Sequence, residues 1–198
     1  LTYHQGGIPV PALDRVSLTL GAGESLGIIG ESGCGKTSLA MAVMGLARSA
    51  QISGQIRFQG RELTAMDRKD YKKIRWNRIA LTFQNSQEVF NPVLTVGRQV
   101  EEALTRHLDL GKSEARIRTG QLFALVSLDP CWQAAYPHQL SGGMRQRVLI
   151  AMAVSCSPDL LIVDEPFTAL DAEAREAMAG LLRSLQEKLG FSMILISH

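Results

Sequence analysis

The stretch SLGIIGESGCGKT (residues 25–37) joins a short apolar segment to a glycine-rich loop. Residues 30–37 fit the pattern G-x-x-x-x-G-K-[ST], in which glycines let the backbone wrap closely around phosphate oxygens with its N–H groups pointing inward. Lys36 would add a positive charge for the β- and γ-phosphates, and Thr37 a hydroxyl for Mg²⁺. A strand precedes the loop and a helix is predicted from Lys36 onward, so a chance glycine-rich turn is the weaker explanation. The stretch predicts a nucleotide-phosphate site.

A second candidate site is the stretch LLIVDEP, at residues 160–166, in which two adjacent acidic residues follow an apolar run. Its apolar run predicts a buried parallel strand, whose carboxyl end faces the ligand crevice in folds of this type. Asp164 at that end can hold Mg²⁺ through water, and Glu165 can act as general base on an attacking water. The alternative is a strand that simply ends in two solvated acids.

LSGGMRQR, at residues 140–147, is a further helix start suited to an anion. Ser141, Gly142 and Gly143 precede a predicted helix, and the N-terminal end of a helix carries about half a positive charge. The chain therefore has two phosphate-binding helix starts about a hundred residues apart, which suggests that they serve different nucleotides.

The remaining pattern predicts an α/β fold. Apolar strands at 79–84, 160–164 and 191–197 alternate with helices, which indicates a P-loop NTPase core with a mainly parallel sheet. Antiparallel strands come early and form an N-terminal β subdomain; they include 14–20, where Val16, Leu18 and Leu20 alternate with polar residues. Helices predominate from about 85 to 157, as an inserted helical subdomain. Residues 1–198 are expected to form one domain, clipped at both ends.

Composition limits the classes of function. The 198 residues are 45% hydrophobic and 20% charged, which is ordinary for a globular protein. A net charge of +2 gives no argument for a nucleic-acid partner. No apolar run approaches the length of a membrane helix, and no signal peptide is apparent. The three cysteines lack metal-ligand spacing, which favours a reduced, cytosolic setting.

Taken together, the motifs resemble those of ATP-binding-cassette (ABC) ATPase domains over nearly the whole chain. LSGGMRQR is similar to the signature motif of that family, and GESGCGKT and LLIVDE are similar to its nucleotide motifs. The resemblance continues in family order with Gln84 of the Q-loop, ALD at 169–171 for the D-loop, and His198 as the switch histidine. Within the family, the chain resembles the ATPases of oligopeptide, dipeptide and nickel importers.

This resemblance implies a site for ATP and Mg²⁺. The catalytic set would be Glu165, His198 and Gln84, and the metal set Thr37, Gln84 and Asp164. The expected nucleotide contacts are Tyr3, Gly30, Glu31, Ser32, Gly33, Cys34, Gly35, Lys36, Thr37, Ser38, Ser141, Gly142, Gly143 and Asp171.

The same resemblance implies partners. Two ATPase domains would pair head to tail, each ATP lying between the phosphate loop of one and the signature helix of the other. Closure would be transmitted to membrane permease subunits through the surface around the Q-loop, at the cytoplasmic face of the cell membrane. An extracytoplasmic binding protein would deliver the substrate.

Several residues have two explanations from the sequence. Tyr3 is either the aromatic residue that stacks on adenine or an edge tyrosine in a frayed terminus. Cys34 replaces a serine common in this group and is either a reactive thiolate among inward-pointing N–H groups or an inert small residue. Arg145 and Arg147 are either ligand contacts or part of a solvated helix face. Phe167 stands where a small polar residue is frequent and suggests no function.

The leading function is an importer ATPase, with two alternatives. A soluble cassette ATPase acting on DNA or ribosomes is one, although Lys36 and Ser141 are separated by a stretch with no heptad run of the kind that long coiled coils need. A non-hydrolysing regulatory cassette is the other, although Glu165, Gln84 and His198 are all present.

Overall fold

The computed structural model describes residues 1–47, 49–83, 89–168 and 170–198. Within these ranges the strands are β1 (Thr2–Gln5), β2 (Ile8–Pro11), β3 (Ser25–Ile29), β4 (Ala50–Gln51), β5 (Arg57–Phe58), β6 (Arg61–Glu62), β7 (Ile79–Thr82), β8 (Leu160–Asp164) and β9 (Ser192–Ser197). The helices are α1 (Lys36–Val43), α2 (Arg68–Ile74), α3 (Val96–Leu108), α4 (Lys112–Leu125), α5 (Gly142–Val154) and α6 (Ala172–Leu189).

The centre of the fold is a parallel sheet with the strand order β3-β9-β8-β7. Every residue of β7 and β8 is buried, which explains their continuous apolar runs, since a strand covered on both faces has no polar side. The predicted fold class is confirmed. The strand predicted over 79–84 ends at Thr82, and Gln84 lies outside the described residues.

The N-terminal strands form a separate antiparallel sheet in the order β2-β1-β4. Gly6 and Gly7 connect β1 to β2 with φ of 57° and 84°, the left-handed values that a tight hairpin turn requires. Pro9 and Pro11 lie on β2, an edge strand of this sheet, where their missing N–H groups cost no ladder hydrogen bond. Strands β5 and β6 form a second short hairpin.

The strand predicted over 14–20 is wrong. Among the described residues no strand pairs with this segment, and Val16 and Leu18 are 52% and 43% exposed. Alternation favours a strand only where a neighbouring backbone can complete the ladder, and here the alternating apolar side chains gain little burial.

The described part of the predicted insertion is helical. Thr95 caps α3, because its hydroxyl accepts the N–H of Arg98 at 3.4 Å. After α4, two 3₁₀ turns at Pro130–Ala134 and Pro137–Gln139 lead into α5. Buried side chains of these helices share one hydrophobic core with Leu161 and Val163 of β8. The boundary near residue 85 falls among undescribed residues and stays a prediction.

Candidate nucleotide site at the carboxyl edge of the sheet

Three neighbouring strands bring the motifs together. The loop after β3 leads into α1, β8 ends in Asp164, and β9 is followed by His198. Because β9 lies between β3 and β8, all three carboxyl ends meet at one edge of the sheet. A cavity of about 160 Å³ opens there, and it is lined by Ala12, Ser32, Gly33, Gly35, Lys36, Thr37, Ser38, Glu165 and His198.

The loop conformation requires glycine at Gly35. This residue has a φ of 98° at the N-terminus of α1, and a Cβ atom there would lie 2.3 Å from the carbonyl oxygen of Ala12. The close approach fixes the start of α1 against the N-terminal segment. Ala12 lines the cavity because its backbone lies against Gly35. No sequence motif identifies this residue.

Lys36 provides the cation of this cavity. The residue is buried, with only 8% of its surface exposed. Nζ donates hydrogen bonds to the carbonyl oxygens of Gly30 at 2.7 Å and Glu31 at 2.8 Å, and lies 3.8 Å from Sγ of Cys34. The ammonium group is thus held over its own loop, where phosphate oxygens would be bound.

Thr37 and Asp164 form the candidate metal site. The Thr37 hydroxyl donates to Oδ2 of Asp164 at 2.8 Å. Asp164 is 2% exposed, and its Oδ1 has no hydrogen-bond partner among the described residues. Burial raises the pKa of Asp164; the hydrogen bond from Thr37 opposes this shift and the neighbouring Glu165 adds to it. A buried carboxylate oxygen without a donor, next to a hydroxyl, fits a hard cation such as Mg²⁺.

Glu165 directly follows Asp164 at the carboxyl end of β8 and lines the cavity. Its backbone has a φ of 51°, and its N–H donates to the carbonyl oxygen of Ile196 on β9 at 2.9 Å. Oε1 lies 2.5 Å from Nε2 of His198, and Oε2 accepts the hydroxyl of Thr168 at 2.9 Å. The structure thus brings the predicted base and the predicted switch histidine into contact. Thr168 was not predicted, although a hydroxyl three residues after an acid in a turn is a recognisable signal.

The signature residues lie elsewhere. Ser141 caps α5 by accepting the N–H of Met144 at 3.2 Å, and Ser141 and Gly142 are exposed. None of Ser141, Gly142 and Gly143 lines the cavity described above. This N-terminus of α5 therefore lies outside the chain's own phosphate-loop cavity and is accessible to another molecule.

The two arginines of the signature stretch do not form a solvated face. Arg145 donates to the carbonyl oxygen of Pro137 at 3.3 Å, and Arg147 to that of Val126 at 2.8 Å. Both therefore tie α5 to the chain before it. The hydrogen bond from Arg147 reaches Val126, the C-terminal cap of α4. A cationic side chain at this end of a helix complements the helix dipole.

Two further predicted residues, Tyr3 and Asp171, do not line the cavity, and a third, Gln84, is not described. Tyr3 lies in β1, opposite Val10 and Ala50, and does not line the cavity. The side chain of Asp171 caps α6 by accepting the N–H of Ala174 at 2.8 Å. Gln84 lies outside the described residues. Their contacts with nucleotide stay predictions.

Comparison with known proteins identifies the family of this chain. The family model described as ABC transporter matches residues 13–168. The chain belongs to the ABC transporter family. It is 42% identical over 195 residues to the oligopeptide transport ATP-binding protein AppD of Bacillus subtilis, with 96% of this chain and 60% of that protein aligned.

Other relatives agree with this assignment. The chain is 43% identical to the dipeptide transport ATP-binding protein DppD of Bacillus subtilis, with 100% of this chain and 61% of the relative covered. It is 40% identical to the oligopeptide transport ATP-binding protein OppD of Escherichia coli, with 96% and 57% covered. The chain thus spans about 60% of the length of such relatives.

A solved structure supports the cassette fold directly. An ATP-binding cassette in a dimeric post-hydrolysis structure, bound to ADP and Pi, superposes with a TM-score of 0.88 at 30% sequence identity. The match covers 100% of this chain and 84% of that one. Within the described parts of this chain, every helix falls short of the length and apolar character that a membrane span needs.

Proposed function

We propose that this chain binds and hydrolyses ATP and thereby energises a membrane importer of peptides, nickel or a similar small solute. The observation that carries the proposal is the meeting of Lys36, Glu165 and His198 at one cavity, next to the Thr37–Asp164 pair. A cation for phosphate, a metal-ready carboxylate and a base are the parts that phosphoryl transfer needs.

Each residue has a role that follows from its position. The backbone of residues 30–35 and Nζ of Lys36 would bind the phosphates of ATP, and Thr37 and Asp164 would hold Mg²⁺, whose charge offsets that of the phosphates. Oε1 of Glu165 would accept the proton of the attacking water. His198, in contact with that oxygen, would hold the water in line.

A second ATPase subunit completes the site in this proposal. The exposed start of α5 would supply the N–H groups of Ser141 to Gly143 to the nucleotide of a partner. Exposure of this start away from the chain's own cavity supports pairing, as does the likeness to a cassette solved as a dimer. The partner is either a second copy or a related chain, and Asp171 lies on the segment that would face it.

The permease contact is assigned to a groove of about 220 Å³ that we call the docking groove. Its apolar residues are Met44, Leu46, Leu81 and Phe83, with Trp76 and His107 stacked at one side; Lys72 and Arg75 complete it. The positive charge favours a permease segment that carries an apolar side chain beside acidic ones. Phe83 directly precedes the predicted Q-loop residue Gln84 in the sequence, which agrees with a permease contact near the Q-loop.

The proposed partners determine where the protein lies in the cell and in which direction the solute moves. The chain would lie at the cytoplasmic face of the cell membrane, bound through the permease subunits, with an extracytoplasmic binding protein delivering the solute. The relatives named for oligopeptide and dipeptide transport favour this function over an ATPase that acts on DNA or ribosomes. The presence of Glu165 and His198 in contact favours a hydrolysing cassette over a regulatory one.

The test is reconstitution of the intact protein with its permease subunits in lipid vesicles. Addition of Mg-ATP and loaded binding protein should produce phosphate release coupled to uptake of peptide or Ni²⁺. The matched control is Glu165→Gln, which should bind ATP and support neither. ATP hydrolysis with no uptake of any solute, but with stimulation by DNA or ribosomes, would contradict the proposal.

A further inference from the structure

The orientation of the Glu165 carboxylate depends on a neighbour that no motif identifies. Oε1 faces His198, and both residues line the cavity, whereas Oε2 accepts the Thr168 hydroxyl at 2.9 Å. The two oxygens of this carboxylate therefore have different surroundings. A side chain with three rotatable bonds needs such an anchor to present one oxygen to a reacting water.

The turn after β8 explains why Thr168 can reach this oxygen. The backbone N–H of Thr168 bonds to the carbonyl oxygen of Glu165 at 3.4 Å, which closes a four-residue turn with Pro166 in its second position. Phe167, the third residue, is half-buried and packs against the main hydrophobic core. The sequence EPFT thus builds a turn that is fixed by proline and by apolar packing.

From this arrangement we infer that Thr168 is a positioning residue for ATP hydrolysis. Its hydroxyl holds Oε2 of Glu165 so that Oε1 stays directed into the cavity beside His198. Phe167 contributes to this positioning, because its packing against the core holds the turn on which Thr168 lies. This inference rests on the proposed ATPase function. It assigns a role to two positions, Phe167 and Thr168, for which the sequence alone gave none.

Loss of the Thr168 hydroxyl should lower the rate of hydrolysis without changing the affinity for ATP. Thr168 does not line the cavity, so removing its hydroxyl leaves the phosphate and metal contacts in place. A misdirected base lowers the rate of the chemical step only. Because Thr168 is exposed, the protein should tolerate its replacement without loss of folding.

The experiment compares Thr168→Val, which keeps the shape, with Thr168→Ser, which keeps the hydroxyl, in the intact protein. Steady-state phosphate release gives kcat and KM for ATP, and a fluorescent nucleotide titration gives the affinity. We expect Thr168→Val to lower kcat about tenfold with KM within about twofold of wild type, the size of effect that loss of one hydrogen bond to a charged group produces. Thr168→Ser should keep about half or more of the wild-type kcat, since the bond can re-form.

A matched control lies outside the cavity. The Thr64 hydroxyl donates to Oε1 of Glu62 at 3.0 Å, an exposed pair of the same chemistry outside the cavity. Thr64→Val should leave kcat unchanged. Equal loss in Thr168→Val and Thr168→Ser, or wild-type kcat in Thr168→Val, overturns the positioning role while the ATPase function stands. Absence of hydrolysis in the wild type overturns the ATPase function and this inference with it.

Discussion

Thr37 donates its hydroxyl to Oδ2 of Asp164 over 2.8 Å and so joins the phosphate loop to the end of β8, 127 residues later. The acceptor is almost fully buried, and its other oxygen has no partner among the described residues. Two segments that are distant in sequence thus share one polar contact, and that contact is where a divalent cation would be held.

Replacement of Thr37 by valine keeps the side-chain volume and removes this hydrogen bond. Asp164 would then lose its described donor, which should lower the free energy of unfolding by about 1–3 kcal/mol. The affinity for ATP should also lose most of its dependence on Mg²⁺. Nucleotide titrations with Mg²⁺ and with EDTA, together with denaturant unfolding, measure both effects. Thr37→Ser is the control and should behave as wild type; a Thr37→Val protein with an intact Mg²⁺ dependence would argue against this metal site.

Lys36→Ala removes the cation that is held over the phosphate loop. We expect the affinity for ATP to fall by about 10- to 100-fold, because charge-assisted hydrogen bonds contribute about 1.5–3 kcal/mol each. A fluorescent nucleotide titration gives the dissociation constant. Lys112→Ala, at the exposed start of α4, is the control and should bind as wild type. Unchanged affinity in Lys36→Ala would falsify the assignment of this loop to phosphate.

Glu165→Gln keeps the size of the side chain and removes its capacity to accept a proton. ATP should still bind and still draw two subunits together, but hydrolysis should fall by about two orders of magnitude or more, the range for loss of a general base. Size-exclusion chromatography with Mg-ATP should then show a dimer that ADP does not support. Glu114→Gln, on the exposed side of α4, should hydrolyse normally. A monomer with ATP bound at high protein concentration would count against pairing.

Cys34 offers a chemical probe of the same loop. It is exposed, and its Sγ lies 3.8 Å from Nζ of Lys36, inside the loop that would hold the phosphates. We expect rapid maleimide labelling that Mg-ATP slows, followed by mass spectrometry of the peptides. Cys131 is an internal control: it is exposed but away from the cavity, and a hydrogen bond with Asp129 raises the pKa of its thiol. Equal labelling of Cys34 with and without nucleotide would show that the loop does not bury this thiol against ATP.

The docking groove predicts a charge dependence of the permease contact. Lys72→Glu places a negative charge beside the apolar floor and should weaken co-purification with permease subunits while the affinity for ATP stays unchanged. Lys69→Glu is the matched control, because Lys69 lies on the same helix, is exposed and does not line the groove. Equal retention of permease by the Lys72 and Lys69 variants would place the contact elsewhere.

The sequence predicted the elements that have a strong local signal. The phosphate loop before α1 and the strand ending in Asp164 both agree with the structure, because each depends on residues within a few positions. The strand predicted over 14–20 failed for the opposite reason, since strand pairing depends on a distant neighbour. The short strands β4 and β6 and the helix α2 carry too few residues for a clear periodicity.

Contacts within the site were harder to predict than its residue types. Nothing in the sequence indicates that Arg147 reaches the carbonyl oxygen of Val126, or that Ala12 lies against Gly35, because these contacts depend on how separate segments pack. The placement of the Thr168 hydroxyl on Glu165 depends on the conformation of one turn. The residue types at the site were therefore predictable, and their partners were not.

The position of β9 has a consequence for how the protein is made. This strand lies between β3 and β8 in the sheet, although both precede it in the chain. As the polypeptide leaves the ribosome, the phosphate loop and the acidic pair emerge while the space between their strands is still open. We therefore expect tight binding of ATP to require insertion of β9, the last of these strands in the chain.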